Sequence, residues 1–347
     1  MSSQTLSIVM EWENVQFSES SRVGRVLAAL AQQVAEQVSE LTAAGEGGPL
    51  RAPVELIVLF NSESTDGDEV AQIVSGALAE CPAIAVRVVA APGLAYFEMK
   101  NRGAELARGE VVVFLDSDVI PQPAWLATML TAFADPAVQV VASRAYVRPD
   151  TLYSRTVALT WLFDLPPDTS SLQPAERVHA NAIGFRRGVI LEHPYPSIPS
   201  QSRGAGWDQF QSMRAAGIAV HEHTGARVEH PPPHGLVNYW RRGFAQGSDD
   251  FLSFLRHYGP RRSRVRRSID RAQKKWRTAL GKLWRHAGRV GLGPLSMPAA
   301  IGIMSSYYFA YFLGHLRASL GRIAPARQVA AEHHATPATS PPKRRAA

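Results

Sequence analysis

Val111-Val112-Val113-Phe114-Leu115-Asp116-Ser117-Asp118-Val119 decides how this chain is read. Five apolar residues, three of them β-branched, predict a strand buried on both faces, since parallel strands covered on both sides run hydrophobic without alternation. Two carboxylates one residue apart stand where that strand must end. In open α/β sheets ligands bind in the crevice beyond the carboxyl ends of the strands. Two like charges buried close together repel unless something positive joins them. Mg2+ or Mn2+ carrying a diphosphate meets that need, because such an ion takes one or two carboxylates plus substrate phosphates. The plainer alternative has Asp116 capping a turn and Asp118 solvated; the strand in front of the pair favours a site.

Three strand and helix units precede this stretch. Leu6-Ser7-Ile8-Val9-Met10 reads as the first strand, ending at Glu11-Trp12-Glu13-Asn14. Val23, Val26, Leu27, Leu30, Val34, Val38 and Leu41 then recur at three- and four-residue spacing, the apolar stripe of a helix. Gly45-Glu46-Gly47-Gly48-Pro49 ends it. Val54 to Phe60 forms a second strand, followed by the polar turn Asn61-Ser62-Glu63-Ser64-Thr65-Asp66-Gly67, a helix to about Leu78, and a third strand over Ala85 to Val89. This alternation implies right-handed crossovers and a mostly parallel sheet.

The chain has 347 residues and one cysteine, Cys81, so an internal disulfide and a thiolate metal cluster are both excluded. Met1 to Thr5 lacks the basic start and apolar core of a signal peptide, so the first domain is expected to stay where it is made. The net charge of +7 is concentrated: Arg256 to Arg289 holds thirteen Lys and Arg against Asp270 alone. In that segment Trp276, Leu280, Leu283 and Trp284 recur at helical spacing, which gives one cationic and one aromatic/aliphatic face, suited to an anionic membrane surface. Val290 to Leu316 has no Asp, Glu, Lys or Arg. It is long enough to span a bilayer, but Pro294, Pro298 and four glycines leave an interfacial element or a helix buried against protein as alternatives. The tail from about Ala324 lacks periodicity and is expected to be disordered.

The third strand is followed by Pro92-Gly93, Lys100-Asn101-Arg102-Gly103 and Gly109-Glu110, and then by the apolar strand ending Asp116-Ser117-Asp118. In this order and spacing the chain resembles family 2 glycosyltransferases of the GT-A fold, from about Leu6 to Gln246. The fold class implied is α/β, a single Rossmann-like, mostly parallel sheet flanked by helices, with a basic and apolar helical region at the C-terminus. The corresponding division is 1–250 for the GT-A domain, 251–323 for the membrane-associated helices and 324–347 for the tail.

The resemblance implies transfer of a sugar from a nucleotide-diphosphate donor to an acceptor hydroxyl, with inversion and with Mn2+ or Mg2+. Asp118 would sit on the ion, and Asp116 on the ribose or on water at the ion. His230, after the strand Val220 to Val228, matches the place of a histidine that completes the ion's coordination; a lone histidine is otherwise an ordinary residue, and His221, His223 and His234 lie close by. Asp208 matches the catalytic base, although the family often has two consecutive acids where this chain has Trp207-Asp208. Glu11, Glu13 and Asn61 are placed toward the nucleoside and Lys100 toward the diphosphate; ordinary loop acids and a solvated helix face are the alternatives. Asn61 departs from the paired aspartates common at that turn. The expected partners are a nucleotide-sugar donor, a saccharide or lipid-linked acceptor in cell-envelope polysaccharide or glycolipid synthesis, and the cytoplasmic face of the membrane. Nucleic acid is not expected, because tryptophans are interleaved with the cations and an uncharged stretch follows. A degenerate nucleotide-sugar-binding scaffold is the main alternative. A phosphatase using Asp116 as nucleophile is disfavoured, because the later acid pair Asp249-Asp250 follows no apolar strand.

Overall fold

The computed structural model describes residues 4–15, 20–44, 50–162, 170–197, 204–258 and 264–320. The Gly/Pro-rich 45–49, the arginines at 261 and 262 and the expected tail from 324 lie outside the described residues. The first half follows the expected alternation: β1 (Gln4–Glu11), α1 (Ser20–Ala44), β2 (Leu50–Phe60), α2 (Gly67–Leu78), β3 (Ile84–Ala90), α3 (Tyr96–Leu106) and β4 (Val111–Leu115). After it come β5 (Ile120–Pro121), α4 (Trp125–Phe133), β6 (Val140–Tyr146), α5 (Leu152–Thr160), β7 (Leu172–Pro174), β8 (Ala182–Arg186), α6 (Arg187–Glu192), α7 (Ala205–Ala215) and β9 (Val220–Glu229). Three long helices complete the chain: α8 (Gly235–Tyr258), α9 (Arg264–His286) and α10 (Met297–Leu320).

The strands form one sheet in the order β3-β2-β1-β4-β8-β6-β9-β5, with β7 paired to β9. β1, β2, β3 and β4 are mutually parallel, and β6 and β9 run the same way. β8 is inserted antiparallel between β4 and β6. The fold is thus the mostly parallel α/β sheet that the sequence predicts. All five residues of β4 are buried, and their side chains divide by alternation. Val111, Val113 and Leu115 join Leu6, Ile8 and Met10 in one core under α1, α2 and α4; Val112 and Phe114 join Val9 and Ile57 in the other under α3 and α7. Each such side chain contributes roughly 1.5–3 kcal/mol of transfer free energy. α3 lies directly on the sheet because Gly103 has no side chain: a Cβ there would run into Val9.

α8 crosses residue 250, where the sequence places a domain boundary. α10 packs along α8 and α9 and also touches α5. Two glycines set the closest approach, since a Cβ at Gly247 would meet the Tyr311 carbonyl and one at Gly314 the Phe244 carbonyl. Asp250 on α8 takes Arg271 and Lys275 of α9 and the Tyr311 hydroxyl of α10, tying the three helices together. Among the described residues no helix is long and apolar enough to cross a membrane. From Met297 onward the uncharged stretch is a helix, with one side packed on α8 and α9.

Candidate functional site

β4 ends by handing its chain to a tight turn, in which the Asp116 amide donates to the Asn181 carbonyl (2.8 Å) and the Val119 amide to the Asp116 carbonyl (3.1 Å). α3 brings Tyr96 and Lys100, one helical turn apart, onto the Asp116 carboxylate. The Tyr96 hydroxyl donates to both oxygens (2.8 and 2.7 Å) and Lys100 Nζ lies 2.5 Å from Oδ1. Lys100 also donates to the Ala180 carbonyl at 3.0 Å and stands over the Tyr96 and Phe114 rings. It is wholly buried, so its charge is spent on Asp116 rather than presented on a solvated helix face. Burial, reinforced by Asp116, raises the Tyr96 hydroxyl well above its usual range, so it stays a donor.

Glu11 closes the base of this cluster. Asn14 donates to its Oε1 (2.7 Å) and reaches Asp116 Oδ2 (3.3 Å), while Glu11 Oε2 is buried without a hydrogen-bond partner. Burial first, and then the neighbouring Asp116 charge, hold this carboxyl well above the ordinary carboxylate range.

Asp118 is placed differently. Its Oδ1 is buried and has no hydrogen-bond partner. Desolvation, followed by the Asp116 charge, pushes its carboxyl up to about 7. Its backbone is held from α1: Arg22 Nε donates to the Asp118 carbonyl at 2.5 Å, Nη2 donates to the Glu229 carbonyl at 2.9 Å, and the guanidinium pairs with Glu229 Oε1 at 3.3 Å. One buried arginine thus joins the turn after β4 to the end of β9. His230, the next residue, donates its amide to the Tyr146 carbonyl (2.9 Å) and lies edge-on to the Trp161 ring. Its Nδ1 is 2.8 Å from the Pro231 carbonyl, which can only accept, so this nitrogen carries the hydrogen. Burial, with Arg242 nearby, lowers the ring well below the usual histidine range; it is neutral, with its lone pair on Nε2. His221 and His223 pair with β7 at the far end of β9, roughly 23–30 Å along the strand from His230.

Asp116, Asp118 and His230 open onto a cavity of about 730 Å3, whereas Glu11 and Lys100, expected at the nucleoside and diphosphate, are wholly buried and do not line it. Asp116, Asp118, Glu13, Asn14 and His230 line its sheet side; Asn238, Arg241, Arg242, Gln246 and Asp249 of α8 line the opposite wall. Arg242 stacks on Trp161 at 3.5 Å from the ring centroid. The remaining sequence-predicted residues fall elsewhere. Asn61 uses Oδ1 to accept from the Glu63 and Gly93 amides, bracing the β2 turn against the loop before α3. Asp208 is half-buried in the first turn of α7, and Trp207 beside it lines the cavity. Asp208 itself is not among the lining residues. Sequence reasoning missed Arg22, Tyr96, Arg242 and the α8 wall; Tyr96 alone left a signal, its i,i+4 spacing from Lys100 on a predicted helix.

The donor set fits a hard divalent ion: an unpartnered buried carboxylate oxygen and a neutral imidazole face one cavity, with room for phosphate oxygens. Among the described residues no group of three or more His, Cys, Asp or Glu could by itself hold a metal ion.

A mostly parallel sheet with one reversed strand, β8, set between parallel neighbours, an Asp-x-Asp turn beyond its central strand and a cavity roofed by later helices is the architecture of the GT-A nucleotide-sugar transferases. Residues 18–190, about half the chain, match Glycosyl transferase family 2, and the chain belongs to that family. The fold resembles the mannosyltransferase PcManGT from Pyrobaculum calidifontis, solved in complex with GDP-Man and Mn2+, at a TM-score of 0.53 and 15% identity, covering 91% of this chain and 88% of that one. S. aureus TarS in complex with UDP-GlcNAc gives a TM-score of 0.47 and 14% identity over 90% and 91% of the two chains. No curated protein matches the chain's sequence.

Proposed function

We propose that this family 2 enzyme transfers a sugar from a nucleoside-diphosphate donor to an acceptor hydroxyl, using Mn2+ or Mg2+ held by Asp118 and His230. The observation that carries this reading is Asp118, a residue of the cavity wall whose Oδ1 is buried and unpartnered. The ion, when bound, supplies charge neutralisation for the departing diphosphate. Lys100 neutralises Asp116, which leaves Asp118 as the uncompensated acid of the pair. Asp116, fixed by Tyr96 and Asn14, is oriented to accept from the ribose. Arg241 and Arg242 add positive charge on the wall facing the two acids, where diphosphate charge develops. Asp208 takes the acceptor proton, and a single displacement inverts the anomeric centre. A lipid-linked or saccharide acceptor of cell-envelope synthesis, met at the cytoplasmic face of the membrane, suits the cationic helices beside the cavity.

A binding scaffold without turnover is the second reading, favoured by the position of Asp208 off the cavity lining. The test incubates purified protein with UDP-, GDP- and dTDP-sugars and Mn2+ or Mg2+, scoring released nucleotide. Metal-dependent release, lost in Asp118→Asn, is expected. Metal-dependent binding without release, with or without acceptors, would support the scaffold. Absence of nucleotide binding with either metal would sink both.

A further inference from the structure

We propose that the outer face of α8, α9 and α10 seats the protein on an anionic lipid surface, the helices lying in the interface without crossing it. This rests on the membrane-side reading above and adds the surface, its residues and its orientation to the cavity.

α10 carries no charge before Arg317. One side of it, including Ala300, Met304, Tyr307, Tyr311 and Ala318, is buried. The opposite stripe, Gly302, Phe309, Leu313 and Leu320, recurs at helical spacing and is open; Phe309 and Leu320 are each 63% exposed. Neighbouring serines on α10 anchor a tryptophan from each flanking helix. Trp276 Nε1 of α9 donates to Ser305 Oγ (3.0 Å), and Trp240 Nε1 of α8 donates to Ser306 Oγ (2.9 Å). An indole with its N–H satisfied and its ring turned outward suits the boundary between water and acyl chains. Trp240 is 43% exposed and borders the apolar stripe.

α9 supplies the charge. Ser268, Ala272, Ala279 and Leu283 are its buried side. Arg266, Gln273, Arg277 and Trp284, spaced by seven, four and seven residues, form the exposed one, with Lys274 and Arg285 beside them. Residues 235–320 hold sixteen Lys and Arg against Asp249, Asp250 and Asp270. Asp249 is buried and Asp250 is paired with Arg271 and Lys275, so among the described residues Asp270 is the exposed acid of these helices, beside the exposed Arg266, Lys274, Arg277 and Arg285. Charge complementarity selects the occupant. A second copy would bring the same cations face to face. A nucleic acid would answer the arginines but would leave Phe309, Leu313 and Leu320 against water. An anionic bilayer answers both, each cation near its surface contributing about fivefold in affinity.

Orientation follows from α8. Its first turns carry exposed Leu236, Val237 and Trp240, and Asn238 and Arg241 on the same turns line the cavity. The docked face therefore adjoins the cavity rim, where a lipid-borne acceptor hydroxyl can enter without leaving the bilayer surface.

The test sediments the full chain with vesicles of phosphatidylcholine, alone or mixed with phosphatidylglycerol, in parallel with light scattering and with the nucleotide-release assay on the same preparation. Binding to the mixed vesicles is expected. It should fall about fivefold per cation removed in Arg277→Gln and Arg285→Gln, and fall again in Phe309→Ser, with melting temperatures unchanged. Equal sedimentation with both vesicle types, wild-type binding by folded Phe309→Ser, or a dimer that Phe309→Ser dissociates would overturn docking. Nucleotide release is scored separately, so loss of docking with release intact rejects this inference alone.

Discussion

Arg22 makes the contact on which the site's geometry turns: one guanidinium bonds the carbonyls of both Asp118 and Glu229 and the Glu229 carboxylate. Asp118 and His230 come from elements 112 residues apart in the chain, and this fork sets the turn of one against the strand end of the other. Removing it strands two carbonyls and a buried carboxylate. Arg22→Ala should cost on the order of 3–5 kcal/mol, the usual penalty for breaking a buried pair from one side. Arg22→Lys keeps the charge but not the fork, so it should recover part of the stability and little of the Mn2+ affinity. Urea unfolding and Mn2+ titration by electron paramagnetic resonance would separate the two effects; parallel recovery of both in Arg22→Lys would mean that Arg22 only stabilises. Nothing in Ser20-Ser21-Arg22-Val23 signals this role, because it depends on which helix N-terminus the sheet brings beside residue 118. The Asp116/Asp118 pair was legible for the opposite reason: its meaning comes from the strand immediately before it.

The helices and strands divide along the same line. β1 to β4 could be read from hydrophobic runs and the turns between them, since each is long enough to carry a pattern. β5 and β7 have two and three residues, too few for any period, and the reversal of β8 is set by its neighbours β4 and β6. The start of α5 is marked by Thr151 and Ser154, whose side chains and amides bond reciprocally. The uncharged segment left spanning, interfacial and packed readings open, and glycine sets how one side of α10 packs on α8. Gly314 rests on the Phe244 carbonyl, so Gly314→Ala should push α8 and α10 apart at a cost of about 1–3 kcal/mol, measured by thermal melting; an unchanged melting temperature would mean that this crossing adapts freely. His315, against Phe251 and bonded through Nδ1 to Ser268 Oγ, is held down to about 4 chiefly by burial, which the Asp250 charge opposes and Arg271 and Lys275 reinforce. Between pH 4 and 6.5 the unfolded chain therefore binds the extra proton. Stability should be complete above about 6.5 and decline as pH falls toward 4, with a slope of at most about 1.4 kcal/mol per pH unit from this group. His315→Gln should flatten that slope in denaturant melts taken across the range.

In the molecule as a whole, the sheet supplies the acids and the C-terminal helices supply the facing cations, so neither half forms the site alone. Asp116 and Asp118 lie on one wall of the cavity and Arg241 and Arg242 on the other. α8 is in turn held by α9 and α10 through Asp250, Arg271, Lys275 and Tyr311. A ligand that bridges acids and cations must order both halves together. A nucleoside diphosphate with Mn2+ at about 100 times its dissociation constant should stabilise the fold by roughly 2.7 kcal/mol. The distribution of that stabilisation is the sharper prediction. Amide hydrogen exchange should slow over residues 111–119 and, to a comparable degree, over 235–258, because α8 gains partners on its cavity face and passes the constraint to α9 and α10. Exchange slowed only within the sheet half would mean that the diphosphate stays with the acids and that Arg241 and Arg242 serve the fold alone. Slowing in both halves with Mn2+ and nucleotide, but in neither with nucleotide alone, would tie the closing of the cavity to the charge that the ion brings to Asp118.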